Sequence, residues 1–144
     1  MFSKILVPTD GSELSLRAIQ GAIGLATKLG ARIVGVTVVE PYAYASLSEY
    51  RPETIAEYEQ RADHVARERL AALENLARTA AVPVETTVVR SFSPFEAIID
   101  TAKRQGCDVI FMASHGRRGL SAVLLGSETQ KVLTHSTLPV MVYR

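Results

Sequence analysis

The sequence lacks the features that mark secreted, membrane-spanning and nucleic-acid-binding proteins. Its 144 residues contain one cysteine, Cys107, so no internal disulfide can form, which fits a reducing compartment. Sixteen basic residues stand against fifteen acidic ones, and the formal charge of +1 favours neither a nucleic acid nor an acidic membrane as partner. The first apolar run has only three residues before Pro8, too few for a signal peptide or a membrane span. These absences predict a cytoplasmic protein.

Strand-like and helix-like segments alternate along the chain. Apolar runs of strand length are separated by segments with helical periodicity; the runs are KILVPT, RIVGVTVV, VETTVV, DVIFMA and PVMVY. This alternation predicts an α/β protein with one domain over residues 1–144, built on an open, mostly parallel five-stranded sheet with helices on both faces. Right-handed crossovers favour the strand order 3-2-1-4-5, which opens a ligand crevice between strands 1 and 4.

Capping signals mark the ends of the expected helices. Gly30 stands where a left-handed C-cap would end the first helix, and a long, charge-rich helix is expected over about residues 53–80. A serine three residues before Glu or Gln predicts capping boxes at Ser93–Glu96 and Ser127–Gln130. The segment from Tyr42 to Pro52 is expected to be a surface loop. Its role stays open among a simple connector, a pocket lid and a surface for a partner.

Two loops follow the strands that flank the expected crevice. The loop PTDGS places Asp10 at the end of the first strand, directly before a helix. The loop ASHGRRGLSAVLLGSETQ, residues 113–130, contains three glycines, which allow backbone N–H groups to approach an anion. Ser127 and Thr129 add hydroxyl groups at a helix N-terminus, where the helix dipole favours negative charge. The second loop therefore predicts a phosphate site.

The glycine spacing matches neither of the two best-known phosphate-binding motifs. No Gly-Lys-Ser/Thr follows at the spacing of a Walker A loop, and the glycines do not form the Rossmann fingerprint G-x-G-x-x-G. A plain surface loop stays open as the alternative, with Gly126 as a turn and Ser127 as a simple helix cap.

Both loops resemble those of the universal stress protein family, in particular its ATP-binding members. The first strand and loop, ILVPTDGS, are similar to the sequence of family members in this region. After the fourth strand, Gly116 is followed by nine residues and then by Gly126-Ser127, as in the family motif. LLGS and PVMVYR also match, so the resemblance spans the whole chain. It implies the family's Rossmann-like fold and an adenine nucleotide, ATP or else ADP or AMP, as cofactor, with any Mg²⁺ arriving with the nucleotide.

The resemblance also implies which residues surround the nucleotide. Pro8, Thr9 and Asp10 would lie against the adenosine and Val38 would line the adenine pocket, while residues of the second loop would approach the ribose and phosphates. The full set of expected ligand contacts is Pro8, Thr9, Asp10, Val38, Met112, Ala113, His115, Gly116, Arg117, Gly119, Gly126, Ser127, Glu128 and Thr129.

One residue departs from the family motif. Ala113 stands where ATP-binding members have their first glycine. If that position needs a positive φ, the methyl group costs roughly 1 kcal/mol. We expect nucleotide binding to survive with reduced affinity, and a drift toward members that bind no nucleotide stays open.

Several of these residues have simpler alternative roles. Asp10 is also suited to an Asx-type helix cap, which does not exclude a contact with ribose. His115 is suited to simple solvation, and Arg117 and Arg118 either clamp a phosphate or remain exposed loop charges. Cys107 fits a small packing residue. His64 and His135 have no partners at metal-ligand spacing, so no protein metal site is expected.

The sequence predicts a binding protein rather than a dedicated enzyme. Phosphoryl transfer needs groups that orient the attacking atom, and Asp10 is the acidic residue best placed for that role. The expected function is that of a nucleotide-dependent sensor or regulator of the stress response. The C-terminal strand, residues 139–143, is an apolar sheet edge that pairs with its twin in the family, which implies a homodimer. A slow ATP hydrolase or phosphotransferase and a ligand-free interaction module remain the alternatives.

Overall fold

The computed structural model describes residues 1–42, 53–117 and 124–144. The strands and helices in these ranges are β1 (Lys4–Pro8), α1 (Glu13–Leu29), β2 (Arg32–Val39), α2 (Ile55–Thr79), β3 (Val84–Arg90), α3 (Pro94–Arg104), β4 (Val109–Ala113), α4 (Ser127–His135) and β5 (Val140–Tyr143). Apart from Tyr42, the predicted loop up to Pro52 lies outside these ranges, as do Arg118 and Gly119. Over the described part of the chain, no helix is long and apolar enough to cross a membrane.

The five strands form one parallel sheet in the order β3-β2-β1-β4-β5, which confirms the predicted topology. β1 pairs with β2 from Lys4 opposite Arg32 onward, and with β4 on its other side. The strand order reverses between β1 and β4. The loops that follow these two strands therefore leave the same edge of the sheet side by side.

Two apolar layers cover the two faces of the sheet, as predicted. Side chains on a strand alternate between faces, so the fully buried Ile5 and Val7 pack toward α1 and α2, where Leu73 joins the same cluster. Leu6, also fully buried, points to the opposite face and packs in the layer that includes Ile98 of α3. With both faces covered, the open carboxyl edge of the sheet is where polar side chains can gather.

The N-terminal cap of α1 orders the loop after β1. Ser12 has extended backbone, and its hydroxyl accepts a hydrogen bond from the N–H of Ser15 at 3.2 Å. The helix ends at Gly30, whose φ of 66° is the predicted left-handed C-cap. The α2 helix begins with a reciprocal capping box between Thr54 and Glu57 that the sequence analysis did not identify.

The two predicted capping boxes, at Ser93 and at Ser127, are wrong. At Ser93, a contact between α3 and α4 takes the place of the predicted cap. The Ser93 side chain makes no cap hydrogen bond. The N–H of Phe95, in the first turn of α3, donates instead to Oε2 of Glu128 at 2.9 Å, so a carboxylate from α4 does the capping. For α4 itself the N-cap is Gly126, and no side-chain cap bond is made, because Ser127 already belongs to the helix.

Candidate functional site

The loops after β1 and β4 meet at the side chain of Asp10. Oδ1 of Asp10 accepts a hydrogen bond from the N–H of Ser12 at 3.0 Å, and Oδ2 accepts one from the N–H of Arg117 at 2.8 Å. The first bond is an Asx-type turn that leads into α1, although the N-cap of the helix is Ser12 and not Asp10. The second bond ties the two predicted ligand loops together across the crevice.

The surroundings of Asp10 keep its carboxyl group ionised. Burial on its own would raise the pKa of Asp10, but hydrogen bonding from Ser12, from the N–H of Arg117 and from Ser15 outweighs it and lowers the pKa below its ordinary value. Asp10 is therefore negatively charged at neutral pH. A carboxylate held in this way is a fixed acceptor, which suits recognition of a sugar hydroxyl.

Two glycines of the second loop occupy positions where the backbone of one segment touches another. A Cβ atom on Gly116 would overlap Oδ2 of Asp10, and one on Gly126 would lie 3.1 Å from the Cα of His115. The N–H of Gly126 also donates to the carbonyl of Ser114 at 2.8 Å. Close approach of another segment, and not a positive φ, therefore favours glycine at 116 and 126.

The first turn of α4 offers backbone donors more readily than side chains. The buried hydroxyl of Thr129 donates to the carbonyl of Ala113 at 3.0 Å. The carboxylate of Glu128 accepts from Phe95 and lies 3.5 Å from Nζ of Lys131. Both side chains are engaged within the protein, and their contact with ribose or phosphate stays a prediction. The first N–H groups of any α-helix have no partner inside the helix and remain for a ligand.

Ala113 sits in a conformation that alanine tolerates. It is the last residue of β4, pairs with Tyr143 of β5, and is buried without a positive φ. The strain that a left-handed backbone would impose is therefore absent at this position. Any remaining cost of the methyl group would have to come from direct contact with a ligand.

The other predicted ligand residues have different surroundings. Thr9 is buried, with its hydroxyl 3.1 Å from the hydroxyl of Ser15, and Pro8 before it is half-buried. Val38 and Met112 belong to the apolar layer beneath α3 and α4. His115 is half-buried beside the crevice, and its Nδ1 lies 3.2 Å from the hydroxyl of Ser114.

Arg69 of α2 is a residue at this edge that the sequence analysis missed. Its side chain reaches Gly11, and Nη1 lies 3.4 Å from the hydroxyl of Thr37 on β2. Arg69 falls between the buried residues Ala66 and Leu73 at helical spacing, which is an unusual place for a charge. That interruption of the apolar stripe was the available signal.

A surface groove of 530 Å³ lies away from the crevice, between β3 and α3. Its lining mixes cations and anions, including Arg90, Glu96, Asp100 and Lys103, and includes no residue of the two ligand loops. The convergent carboxylate, glycines and helix N-terminus are all at the crevice. The crevice is therefore the candidate site.

The sequence matches a known family along its whole length. The model of the Universal stress protein family matches residues 1–144. The chain is 34% identical over 151 residues to universal stress protein YxiE of Bacillus subtilis, with 100% of both proteins covered. It is 30% identical over 145 residues to universal stress protein MJ0531 of Methanocaldococcus jannaschii, covering 100% of this chain and 83% of that protein.

Solved structures with the same fold include two nucleotide complexes. The hypothetical protein MJ0577 of M. jannaschii superposes with a TM-score of 0.83 at 28% identity, covering 99% of this chain and 96% of that one. A universal stress protein in complex with cAMP has a TM-score of 0.68 at 23% identity, covering 99% and 97%. A universal stress protein from Archaeoglobus fulgidus in complex with dAMP has a TM-score of 0.73 at 19% identity, covering 99% and 98%.

Proposed function

Since this chain belongs to the universal stress protein family, we propose that it binds an adenine nucleotide, ATP or else ADP or AMP, in the crevice between β1 and β4. The observation that carries the proposal is the 2.8 Å hydrogen bond from the N–H of Arg117 to the ionised carboxylate of Asp10. It holds together the two loops that would surround the nucleotide. Open parallel sheets bind ligands at such a reversal of strand order.

Each part of the nucleotide has a matching surface at this edge. The Asp10 carboxylate would accept from a ribose hydroxyl next to Pro8 and Thr9, and the apolar Val38 would contact the adenine ring. The N-terminus of α4, from Ser127 onward, supplies N–H groups that have no partner inside the helix, together with a dipole that favours phosphate. Met112 and Ala113 would close the pocket floor.

The two complexes with cAMP and dAMP show that this fold accommodates an adenine mononucleotide in other proteins. For the present chain they establish the fold alone. Because both ligands are mononucleotides, AMP should be titrated as well as ATP and ADP. Any Mg²⁺ would be held by the phosphates.

We further propose that the protein acts in the cytoplasm as a nucleotide-dependent sensor or regulator and works as a homodimer. Within the described chain, β5 pairs with β4 alone, so it is an edge strand. Met141 on this strand is 38% exposed. An apolar strand edge favours pairing with another strand, and a second copy would supply an identical one.

The test is the effect of nucleotide on thermal stability, because a ligand that binds the folded state raises its melting temperature. We expect millimolar ATP with Mg²⁺ to raise the melting temperature of the wild-type protein but not of Gly126→Val, whose side chain would press on the backbone of His115. Gly24→Val is the matched control, since Gly24 lies on the exposed side of α1 with open space around it. No shift with any adenine nucleotide would favour the ligand-free module, and steady release of phosphate would favour the slow hydrolase.

A further inference from the structure

The guanidinium group of Arg69 lies beside the loop that carries Asp10. Cγ and Nε of Arg69 are 3.0 Å and 3.3 Å from the position that a Cβ on Gly11 would occupy, and Nη2 of Arg117 is 3.2 Å from the same position. The two side chains come from different elements, one from α2 and one from the loop after β4. Both arginine side chains therefore lie close over Gly11.

The guanidinium group of Arg69 has only part of its hydrogen-bonding capacity satisfied by the described residues. Its Nε is buried and has no hydrogen-bond partner among the described residues, and Nη1 has a single, long contact of 3.4 Å with Thr37. Burial lowers the pKa of Arg69, as does the neighbouring charge of Arg117, while Asp10 works in the opposite direction. A buried donor without a partner costs stability, so its position calls for a reason.

The local charges are unbalanced in favour of an anion. Among the described residues, the carboxylate that acts on Arg69 is that of Asp10, and both of its oxygens already accept backbone hydrogen bonds from Ser12 and Arg117. Arg69 and Arg117 together carry two positive charges. Guanidinium groups bind phosphate oxygens by directional, charge-assisted hydrogen bonds, and a phosphate between them would relieve their mutual repulsion.

We propose that Arg69 and Arg117 together bind a phosphate group beside the loop that carries Asp10, and that this pair makes the crevice selective for phosphorylated ligands over nucleosides. The inference deepens the proposed function, on which it rests for the adenosine part of the ligand. The phosphate belongs either to the nucleotide or to a free inorganic anion. Arg69 is then a specificity residue contributed by a helix outside the two ligand loops.

The experiment compares Arg69→Gln with a matched control on the same helix. Arg67→Gln makes the same change of charge at an exposed position two residues away. Wild-type and variant proteins are titrated in a calorimeter with adenosine, AMP, ATP and inorganic pyrophosphate. We expect Arg69→Gln to weaken the binding of ATP and AMP by roughly 10- to 100-fold, since a charged hydrogen bond is lost only for the phosphorylated ligands. The affinity for adenosine should stay within about twofold of the wild-type value.

Two further readouts separate binding from structure. Arg69→Gln is expected to keep or raise the melting temperature without ligand, because it removes a half-buried charge whose Nε has no hydrogen-bond partner among the described residues. If Arg69 were purely structural, the same substitution would lower the melting temperature. Arg69→Lys keeps the charge without the planar fork and should retain part of the affinity for phosphate. Added salt should weaken ATP binding more in wild type than in Arg69→Gln.

The outcomes distinguish this inference from the proposed function. If wild type binds ATP and Arg69→Gln binds it equally well, the arginine pair is overturned while the nucleotide site stands. If wild type binds pyrophosphate but no adenine compound, and Arg69→Gln loses pyrophosphate, the pair is supported and the proposed function fails. Binding of neither nucleotide nor pyrophosphate to wild type would overturn both.

Discussion

Oδ2 of Asp10 accepts a hydrogen bond from the backbone N–H of Arg117 at 2.8 Å, between residues 107 positions apart in the sequence. The contact is made at the carboxyl edge of the sheet, where β1 and β4 end side by side. It needs Gly116, because a Cβ there would overlap the accepting oxygen. The carboxylate of Asp10 thus links the two loops of the candidate site.

The first prediction concerns the pH dependence of this contact. The folded state lowers the pKa of Asp10, so the stability it contributes is present above the ordinary Asp pKa of about 4 and is lost as the pH falls through the lower folded value. Asp10→Asn should reduce the free energy of unfolding by about 1 kcal/mol at neutral pH, since the amide oxygen can still accept one of the two N–H bonds but the amide nitrogen cannot accept the other. Urea unfolding from pH 7 down to 3 measures the difference between the two proteins. The difference in unfolding free energy should become smaller as the pH falls. A difference that stays constant or grows would contradict the lowered pKa of Asp10.

A second prediction tests the cap that α4 provides for α3. Glu128→Ala should lower the free energy of unfolding by about 1 kcal/mol, because the N–H of Phe95 loses its carboxylate partner. Glu96→Ala is the control: Glu96 lies in the first turn of α3 but is exposed, so only a few tenths of a kcal/mol are expected from the helix dipole. Equal losses in the two variants, measured by chemical denaturation, would show that the capping partner has been misidentified.

A third prediction concerns assembly through β5. Met141→Lys places a charge on the proposed dimer strand and should produce monomers in sedimentation velocity, while deletion of residues 139–144 should yield monomers or aggregates. Leu133→Lys is the control, since Leu133 is about as exposed as Met141 but lies on α4. A clean dimer in both the Met141→Lys and the deletion variants would exclude β5 as the interface.

Local sequence signals predicted the framework of the fold. The five apolar runs marked the strands, and the handedness of crossovers then favoured the order 3-2-1-4-5, which the sheet confirms. The C-cap at Gly30 was also readable, because a glycine at the end of an apolar repeat has few other roles. These features depend on neighbours in the chain and on general rules of packing.

Contacts between distant elements escaped the sequence analysis. The Ser93 capping box looked correct locally, but Glu128, 33 positions beyond Phe95, takes over the cap only once α3 and α4 pack together. Arg69 resembled the other charges of a salt-bridge-rich helix, and only the docking of α2 on the sheet brings it to Gly11. The partner of each residue depends on tertiary placement; periodicity marks Arg69 only as a charge within the apolar stripe of α2.

The central claim is that the crevice joined by Asp10 and Arg117 binds an adenine nucleotide, and calorimetry tests it most directly. The purified protein would be stripped of nucleotide and titrated with ATP and Mg²⁺. The account predicts saturable heat with one nucleotide per chain, lost in Gly126→Val and kept in Gly24→Val. No heat in the wild-type protein at millimolar ATP would contradict the account.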